Sequence, residues 1–216
     1  MAAGDRTVRD VIADSRVLPL VVLDDAGTAQ RVGETLVAGG IDVVEVAFRT
    51  PDATAALREM AANTDLCVGA GTVVTVDQVD VAVQAGASFV VTPGLSAAVV
   101  ARCRELSIPV FPGAATATEV TAAVDLGIDV LKFFPSEALG GTRMISALAG
   151  PFPQMRFIPT GGITAENAAA YLAHPSVLAV GGSWMVPGDL VRGGEWARLT
   201  ALARAAAAVR SVGSSA

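Results

Sequence analysis

The chain alternates between short apolar runs and Ala-rich segments whose apolar residues recur at helical spacing. Eight runs rich in Val, Ile, Leu and Phe predict strands, at 17–23, 42–48, 67–73, 88–92, 109–111, 130–134, 156–160 and 177–180. The segments between them predict helices, among them 29–38, 76–85, 97–106, 117–126 and 165–173, with a last helix at 195–210. Successive strands start 21 to 26 residues apart, which is about the length that one strand, one loop and one helix require.

This even spacing predicts an α/β fold, a (β/α)8 TIM barrel, rather than an open doubly wound sheet. No GxGxxG motif follows the first strand, and no Pro/Gly/Ser-rich linker or charge block divides the chain. We therefore expect one domain over residues 1–216. Within it, residues 1–16 are expected to form an N-terminal helix or lead-in, and residues 211–216 a flexible tail.

The strand at 42–48 has one face that is apolar throughout and one that carries charge. Strand side chains alternate in direction, so Val44, Val46 and Phe48 share the apolar face, which is expected to pack against the helices. Glu45 and Arg49 then point into the barrel. Arg49 is expected nearer its mouth, where barrel active sites lie.

Lys132 is the only lysine among 216 residues, and it lies in an apolar strand. Burial of an ammonium is costly and favours the neutral amine. A lysine, unlike an arginine, can lose its proton and attack a carbonyl to form a Schiff base. The sequence therefore predicts Lys132 as a nucleophile, and a structural ion pair or a charge reaching the barrel rim remains the alternative.

Glu45 is the candidate proton-transfer partner of Lys132, because Schiff-base chemistry requires repeated proton shuttling. The alternative is a salt bridge from Glu45 to Arg49 or Lys132 that only stabilises the interior. Arg49 can grip a carboxylate in bidentate fashion, and the Thr72 hydroxyl is expected at the same level. Pro93 and Phe134 are expected to form walls of the pocket, with ordinary loop geometry and packing as the alternative.

Glycine pairs end the last two predicted strands, in Thr160-Gly161-Gly162 and in Gly181-Gly182-Ser183. Exposed backbone N–H groups followed by a helix N-terminus favour an anion. In barrels the loops after strands seven and eight often bind phosphate. The sequence therefore predicts a substrate with a phosphate at one end and a carboxylate at the other.

Charge and residue counts exclude several classes of protein. The net charge of -6 gives no support to a nucleic-acid or acidic-membrane binder. His174 is the only histidine, so one chain cannot assemble a Ser-His-Asp, Cys-His or multi-histidine metal centre. Cys67 and Cys103 lack CxxC spacing and are expected to be inert thiols.

Asp24 and Asp25 alone are a weak metal-site candidate, so we expect no metal and no cofactor. The first 16 residues contain no apolar stretch typical of a signal peptide. Together with the two isolated cysteines, this predicts a soluble, cytoplasmic protein.

Six motifs together resemble the 2-keto-3-deoxy-6-phosphogluconate (KDPG) aldolase family, which is also described as having 4-hydroxy-2-oxoglutarate (KHG) aldolase activity. They are Val-Glu-Val-Ala-Phe-Arg-Thr (44–50), Gly-Ala-Gly-Thr-Val (69–73), Thr-Pro-Gly-Leu (92–95), Lys-Phe-Phe-Pro (132–135), Pro-Thr-Gly-Gly-Ile (159–163) and Gly-Gly-Ser-Trp-Met-Val-Pro (181–187). The resemblance implies a class I, metal-free lyase that works as a homotrimer in carbohydrate metabolism of the Entner–Doudoroff type. The turn at Asp24 and Asp25 departs from some relatives, which carry basic residues there, and this leaves room for another aldehyde half.

Residue roles follow from the same resemblance. It implies that Lys132 forms the Schiff base and that Glu45 is the general acid/base. The implied pyruvate-side pocket consists of Arg49, Thr72, Pro93 and Phe134. The implied distal, phosphate-side pocket consists of Thr160, Gly161, Gly162, Gly182 and Ser183.

Other functions stay open on the sequence alone. An isomerase or epimerase acting on a phosphorylated sugar could use Glu45 as base and Lys132 as an electrostatic stabiliser. A 2-keto-3-deoxy-6-phosphogalactonate aldolase differs in C4 stereochemistry, which the sequence does not decide. A non-catalytic sugar-phosphate binding barrel is the third alternative, since fold does not fix function.

Overall fold

Parallel strands alternate with helices along residues 6–209, the part of the chain that the computed structural model describes. The strands are β1 (Val17–Val21), β2 (Val43–Ala47), β3 (Cys67–Gly71), β4 (Phe89–Val91), β5 (Val110–Phe111), β6 (Val130–Phe133), β7 (Arg156–Pro159) and β8 (Val180–Gly182). The helices are α1 (Val8–Ser15), α2 (Ala29–Ala38), α3 (Ala53–Ala61), α4 (Val76–Gln84), α5 (Ala97–Glu105), α6 (Ala117–Asp125), α7 (Gly141–Ala149), α8 (Ala168–Leu172), α9 (Gly188–Arg192) and α10 (Trp196–Ala208). Single 3-10 turns lie at Ala26–Thr28 and Glu137–Leu139.

The strands close into a ring. Six of them pair in the order β5-β4-β3-β2-β1-β8, and β6 pairs with β7. Parallel bridges join the two sets, between Gly113 and Lys132 on one side and between Thr160 and Gly181 on the other. The predicted (β/α)8 barrel is therefore confirmed, whereas the single-domain organisation stays a prediction and residues 211–216 lie outside the described range.

Two apolar clusters occupy the two faces of the strands. The inner cluster contains Ile12, Leu18, Val43, Phe89, Val91, Phe111, Val130, Ile158 and Ala179. Ile12 belongs to α1, which leads into β1, so α1 packs across the N-terminal end of the barrel. The larger cluster lies between strands and helices and includes Val44 and Val46, with the partly buried Phe48 packed against it. The alternation along β2 thus has the predicted direction.

Most helices begin and end within a residue or two of the predicted bounds, and the exceptions have local causes. The predicted helix at 165–173 is shorter, because Thr164 and Asn167 form a hydrogen-bonded turn before α8 begins at Ala168. Capping boxes at Thr75 and Thr116 fix the starts of α4 and α6. Among the described residues, none of the helices combines the length and apolar content that a membrane crossing needs.

The last strand lies later than the predicted run at 177–180. The guanidinium of Arg16 donates hydrogen bonds to the carbonyls of Val177 and Leu178, at 2.9 and 2.8 Å, and to that of Leu172 at 2.6 Å. The Arg16 side chain therefore occupies carbonyl acceptors that backbone N–H groups of a neighbouring strand would otherwise use. Pairing of β8 with β1 begins only at Val180, opposite Val17.

Replacing Arg16 with methionine is expected to lower the free energy of unfolding by about 2–3 kcal/mol. Three carbonyls lose a charged donor, and a hydrogen bond to a charged group contributes a net of roughly 1.5–3 kcal/mol. Because Arg16 is only partly buried, water replaces part of the loss, and the sum stays near the contribution of one such bond. Urea unfolding of both proteins measures the difference. Arg31→Met is the matched control, because the exposed Arg31–Glu34 pair should contribute less than about 1 kcal/mol. Equal losses in the two variants would contradict the role of Arg16.

His174 joins the end of α8 to α7 in its neutral form. Its Nδ1 accepts a hydrogen bond from the Ser176 N–H at 3.1 Å, and its Nε2 lies 2.9 Å from Ser146 Oγ. Ser146 Oγ already donates to the Thr142 carbonyl, so the hydrogen-bond pattern assigns the ring proton to Nε2. Burial lowers the pKa of His174 below its usual 6.5.

The contribution of His174 to stability is therefore expected above pH 6.5 and is lost as the pH falls, because the unfolded chain then binds the proton more readily. Urea unfolding of the wild type and of His174→Gln between pH 5 and 8 tests this, since carboxylate titration is common to both proteins. The stability difference should shrink on acidification. A difference that is constant over this range would contradict the assignment.

Candidate active site

Lys132 and Glu45 meet inside the barrel although they are 87 residues apart in sequence. Lys132 Nζ donates to Glu45 Oε1 at 3.0 Å, and the two side chains are 5% and 1% exposed. Val130 and Val43 precede them by two residues on the same strand faces and belong to the inner apolar cluster. The pair therefore lies one layer above that cluster, toward the C-terminal ends of the strands. Of the two ion-pair partners considered for Glu45, the structure has Lys132 and not Arg49.

Glycine in β3 makes room for the carboxylate. A Cβ on Gly71 would lie 2.1 Å from Glu45 Oε1, and a Cβ on Gly69 would lie 2.2 Å from the Phe89 ring. Both distances are far below van der Waals contact. The Gly-Ala-Gly motif is thus required at inward positions next to Glu45, and the outward Ala70 between them packs in the larger cluster.

Thr72, which follows this motif, has a strained backbone. Its φ of +60° is rare for a β-branched residue. Such strain persists where the surrounding structure fixes it, and it is common at functional sites. Here the Phe48 N–H donates to the Gly71 carbonyl at 2.7 Å, immediately before Thr72. Thr72 therefore lies at the barrel mouth, one residue beyond the glycine that contacts Glu45.

Phe134 and Pro93 lie close to the strand that carries Lys132. Lys132 Nζ lies 5.8 Å from the centroid of the Phe134 ring, which is 38% exposed. This distance allows a cation–π contact. A Cβ added to Gly113 would lie only 2.1 Å from the Pro93 carbonyl oxygen, so the two backbones are in close contact. Gly113 in turn forms a parallel β-bridge with Lys132. Gly113 was not among the predicted site residues. Its position just after a predicted strand is the sequence feature that could have identified it.

Arg49 is at the mouth and exposed to solvent. Thr50, the next residue, donates from Oγ1 to the Leu23 carbonyl at 2.6 Å, which fixes this loop to the end of β1. The Arg49 guanidinium makes no ion pair or hydrogen bond to another side chain within residues 6–209. It is therefore available to a ligand but is not brought into contact with Lys132.

The predicted distal residues come together at the ends of β7 and β8. Thr160 bridges to Gly181, where a Cβ would lie 2.3 Å from Thr160 Oγ1. Gly161 and Gly162 have φ values of +95° and +81°, which favour glycine. The amide N–H groups of Gly162 and Ser183 donate to no acceptor among the described residues. Two loop amides are thus available to an anion at this edge.

A helix follows each of the two glycine loops, although α8 begins three residues later than predicted, and the anion-binding role of the loops stays a prediction. α8 begins at Ala168 and α9 at Gly188, five or six residues after Gly162 and Ser183, and each has only five residues. The polar turn at Thr164–Asn167 occupies the residues before Ala168, so α8 begins later along the chain. A Cβ on Gly182 would lie 2.3 Å from the Trp184 ring, so this glycine packs under the indole instead.

The remaining candidates have structural surroundings. Asp25 accepts the Gly27 N–H at 2.9 Å and caps the turn after β1. Burial raises the pKa of Cys67 and raises that of Cys103 to about 11. Both thiols are therefore weak nucleophiles at neutral pH.

Comparison with known proteins gives consistent matches over most of the chain. The family model for KDPG and KHG aldolase matches residues 8–202. The 2-dehydro-3-deoxy-phosphogluconate aldolase of Treponema pallidum is 48% identical over 201 residues, which cover 92% of this chain and 95% of that protein. The crystal structure of 2-keto-3-deoxy-6-phospho-gluconate aldolase from Zymomonas mobilis has a TM-score of 0.88 at 42% identity, covering 94% of this chain and 97% of that one.

A KDPG aldolase structure from Legionella pneumophila also has a TM-score of 0.88, at 40% identity, and covers 91% of this chain and 96% of that one. In that structure pyruvate was captured at low pH as a covalent carbinolamine intermediate.

Proposed function

Because this chain belongs to the KDPG and KHG aldolase family, we propose that it is a class I aldolase that cleaves 2-keto-3-deoxy-6-phosphogluconate into pyruvate and glyceraldehyde 3-phosphate. We extend the proposal to cleavage of 4-hydroxy-2-oxoglutarate into pyruvate and glyoxylate. The observation that carries it is the buried contact of 3.0 Å between Lys132 Nζ and Glu45 Oε1. A primary amine and a carboxylate at this distance can exchange a proton directly.

The first half of the reaction builds an electron sink on Lys132. Its proton passes to Glu45, and the neutral amine adds to the C2 carbonyl of the substrate. Proton transfer to the C2 oxygen lets water leave, which gives an iminium. Glu45, directly or through a water molecule, then removes the proton of the C4 hydroxyl. The C3–C4 bond breaks, its electron pair moves into the iminium to form an enamine, and the aldehyde leaves.

The second half returns the enzyme to its starting state. The protonated Glu45 delivers its proton to C3 of the enamine, which regenerates an iminium. Water adds to C2, the C–N bond breaks, and pyruvate leaves as the Lys132 amine is restored. One carboxylate thus serves as base and then as acid, and the ring of strands keeps both groups away from bulk water.

We assign the two ends of the substrate to the two sides of the barrel mouth. Arg49 and the Thr72 hydroxyl bind the carboxylate, and Phe134 and Pro93 form the walls of the pyruvate-side pocket. The Arg49 guanidinium supports this assignment, because it is exposed and has no ion-pair partner among the described residues. On the distal side, the amides of Gly162 and Ser183 bind the phosphate, with Thr160, Gly161 and Gly182 shaping the loops.

Borohydride trapping with pyruvate tests the proposal. Because Lys132 is the only lysine, a reduced adduct forms either there or on the N-terminal amine, and peptide mass mapping separates the two. We expect the adduct on the peptide that contains Lys132, and no adduct on the corresponding peptide of Lys132→Arg. If folded protein with excess pyruvate gives no adduct, Lys132 acts only electrostatically, and the isomerase or epimerase reaction becomes the better explanation.

We further propose that the enzyme is a cytoplasmic homotrimer, on the strength of the family resemblance. Light scattering of the purified protein tests the trimer, and a monomer or dimer mass would refute it. Fractionation of cells tests the location.

A further inference from the structure

A hydrogen-bonded chain of three side chains lies beside the distal pocket. Ser136 Oγ donates to Tyr171 Oη at 3.0 Å, and Tyr171 Oη donates to Glu137 Oε1. Ser136 is fully buried and Tyr171 is 2% exposed. Burial and the nearby carboxylate raise the pKa of Tyr171 to about 12, so the phenol keeps its proton and remains a donor at neutral pH. None of the three was among the predicted site residues.

Glu137 contacts the Gly161–Gly162 turn through its backbone and its side chain. Its N–H donates to the Gly161 carbonyl at 3.1 Å, next to a bond of 2.8 Å from the Ser136 N–H to the Thr160 carbonyl. The Cβ and Cγ atoms of Glu137 lie 2.6 Å from the position of a Cβ on Gly162. The side chain therefore packs directly on Gly162, whose amide has no acceptor among the described residues.

The direction of the Glu137 carboxylate matters for the charge of the pocket. Its Oε1 is bound by Tyr171 and lies 3.2 Å from the position of a Cβ on Gly141, the first residue of α7. The carboxylate is thus held toward the N-terminus of a helix of nine residues, which favours negative charge. Glu137 is exposed, so without the Tyr171 hydroxyl we expect its carboxylate to turn to the Gly162 N–H, which has no acceptor among the described residues. There it would occupy an anion donor and repel a phosphate.

We propose that Tyr171 is a positioning residue for substrate specificity: it holds the Glu137 carboxylate away from the Gly162 amide and so keeps the distal pocket open to a phosphorylated substrate. This proposal rests on the proposed function of the Gly161–Gly162 turn in phosphate binding. Tyr171 acts through Glu137 and belongs to the larger apolar cluster between strands and helices, outside the barrel interior that holds Lys132. Its loss should therefore affect binding of the phosphate end and leave the chemistry at Lys132 intact.

Tyr171→Phe tests the proposal with two substrates and one probe. We expect KM for KDPG, and the inhibition constant of inorganic phosphate, to rise roughly tenfold, the effect of one competing charged hydrogen bond. The kcat should change by less than about twofold, and KM for the unphosphorylated KHG should stay within the same margin. Ser136→Ala is the matched control, because it removes a neighbouring hydroxyl and leaves the Tyr171–Glu137 bond. It should change each constant by less than about twofold.

Removal of the charge should reverse the defect. Tyr171→Phe/Glu137→Gln is expected to bind phosphate within about twofold of the wild type, because a neutral amide does not repel it. Glu137→Gln alone should bind phosphate at least as tightly as the wild type, and this variant keeps the test decisive if Tyr171→Phe fails to fold. Weaker phosphate binding by Glu137→Gln would overturn the proposal.

Other outcomes separate this inference from the function it rests on. An equal rise in KM for both substrates in Tyr171→Phe, or a fall in kcat alone, would show that the cluster only supports the fold of the site. If the wild type itself neither prefers KDPG nor is inhibited by phosphate, the phosphate role of the turn is wrong and this inference fails with it. Pyruvate trapping on Lys132 would still succeed in that case.

Discussion

Lys132→Met is expected to abolish aldol cleavage, with a fall in kcat on the order of 10⁴-fold or more, as when other catalytic nucleophiles are removed. No other lysine is present to form the imine. The methionine also leaves Glu45 buried without its partner, and a broken buried pair costs about 3 kcal/mol or more unless the carboxyl takes up a proton. Pyruvate release from KDPG, coupled to a reporter enzyme, measures the rate, and circular dichroism verifies the fold.

Lys132→Arg separates the nucleophile from its charge. Arginine keeps a positive charge beside Glu45 but does not lose its proton or form an imine at neutral pH. A Schiff-base mechanism predicts the same loss of activity in both variants. If Lys132→Arg instead retained more than about a tenth of the wild-type rate, the charge alone would stabilise the reaction, and the nucleophile assignment would be wrong.

The placement of Lys132 and Glu45 inside the barrel could be predicted because its signals are local. The side-chain alternation in 42–48 assigns Glu45 to the inner face, and a lone lysine in an apolar strand indicates a function. Even strand spacing predicts a closed ring, and only closure brings β2 and β6 face to face across the barrel interior. Strand spacing does not explain why position 71 is glycine. The structure does, because a Cβ there would overlap the Glu45 side chain.

The differences arise from contacts between distant parts of the chain. The start of β8 depends on Arg16, whose guanidinium reaches carbonyls more than 150 residues away. The chain of Ser136, Tyr171 and Glu137 joins a loop to a short helix, so no period in the sequence indicates it. The helix after β7 begins three residues later than predicted because a four-residue turn at Thr164–Asn167 precedes it.

Glu45→Gln is expected to lower kcat by about 10²–10⁴-fold, the usual range for loss of a general acid/base. The amide has nearly the same shape and can still accept the hydrogen bond from Lys132 Nζ through its oxygen, so the pocket is preserved. What it loses is the capacity to take the C4 hydroxyl proton and to return one to the enamine. Exchange of the methyl hydrogens of pyruvate with D₂O, followed by NMR, measures the second of these steps without an aldehyde. Glu34→Gln, on the exposed face of α2, is the control and should exchange at the wild-type rate.

Trapping of pyruvate on Lys132 in this variant distinguishes the two roles of Glu45. A carboxylate that only pairs with the ammonium holds the amine in its protonated form, so its replacement by a neutral amide would free the amine and leave imine formation and cleavage within a few-fold of the wild type. A carboxylate that transfers protons is needed to dehydrate the carbinolamine, so trapping, exchange and cleavage should all slow together. Lys132 and Glu45 are both buried and in direct contact at 3.0 Å, and among residues 6–209 no other carboxylate forms an ion pair with Lys132 Nζ. We therefore expect the joint loss, and unimpaired exchange in Glu45→Gln would reduce Glu45 to a structural ion pair.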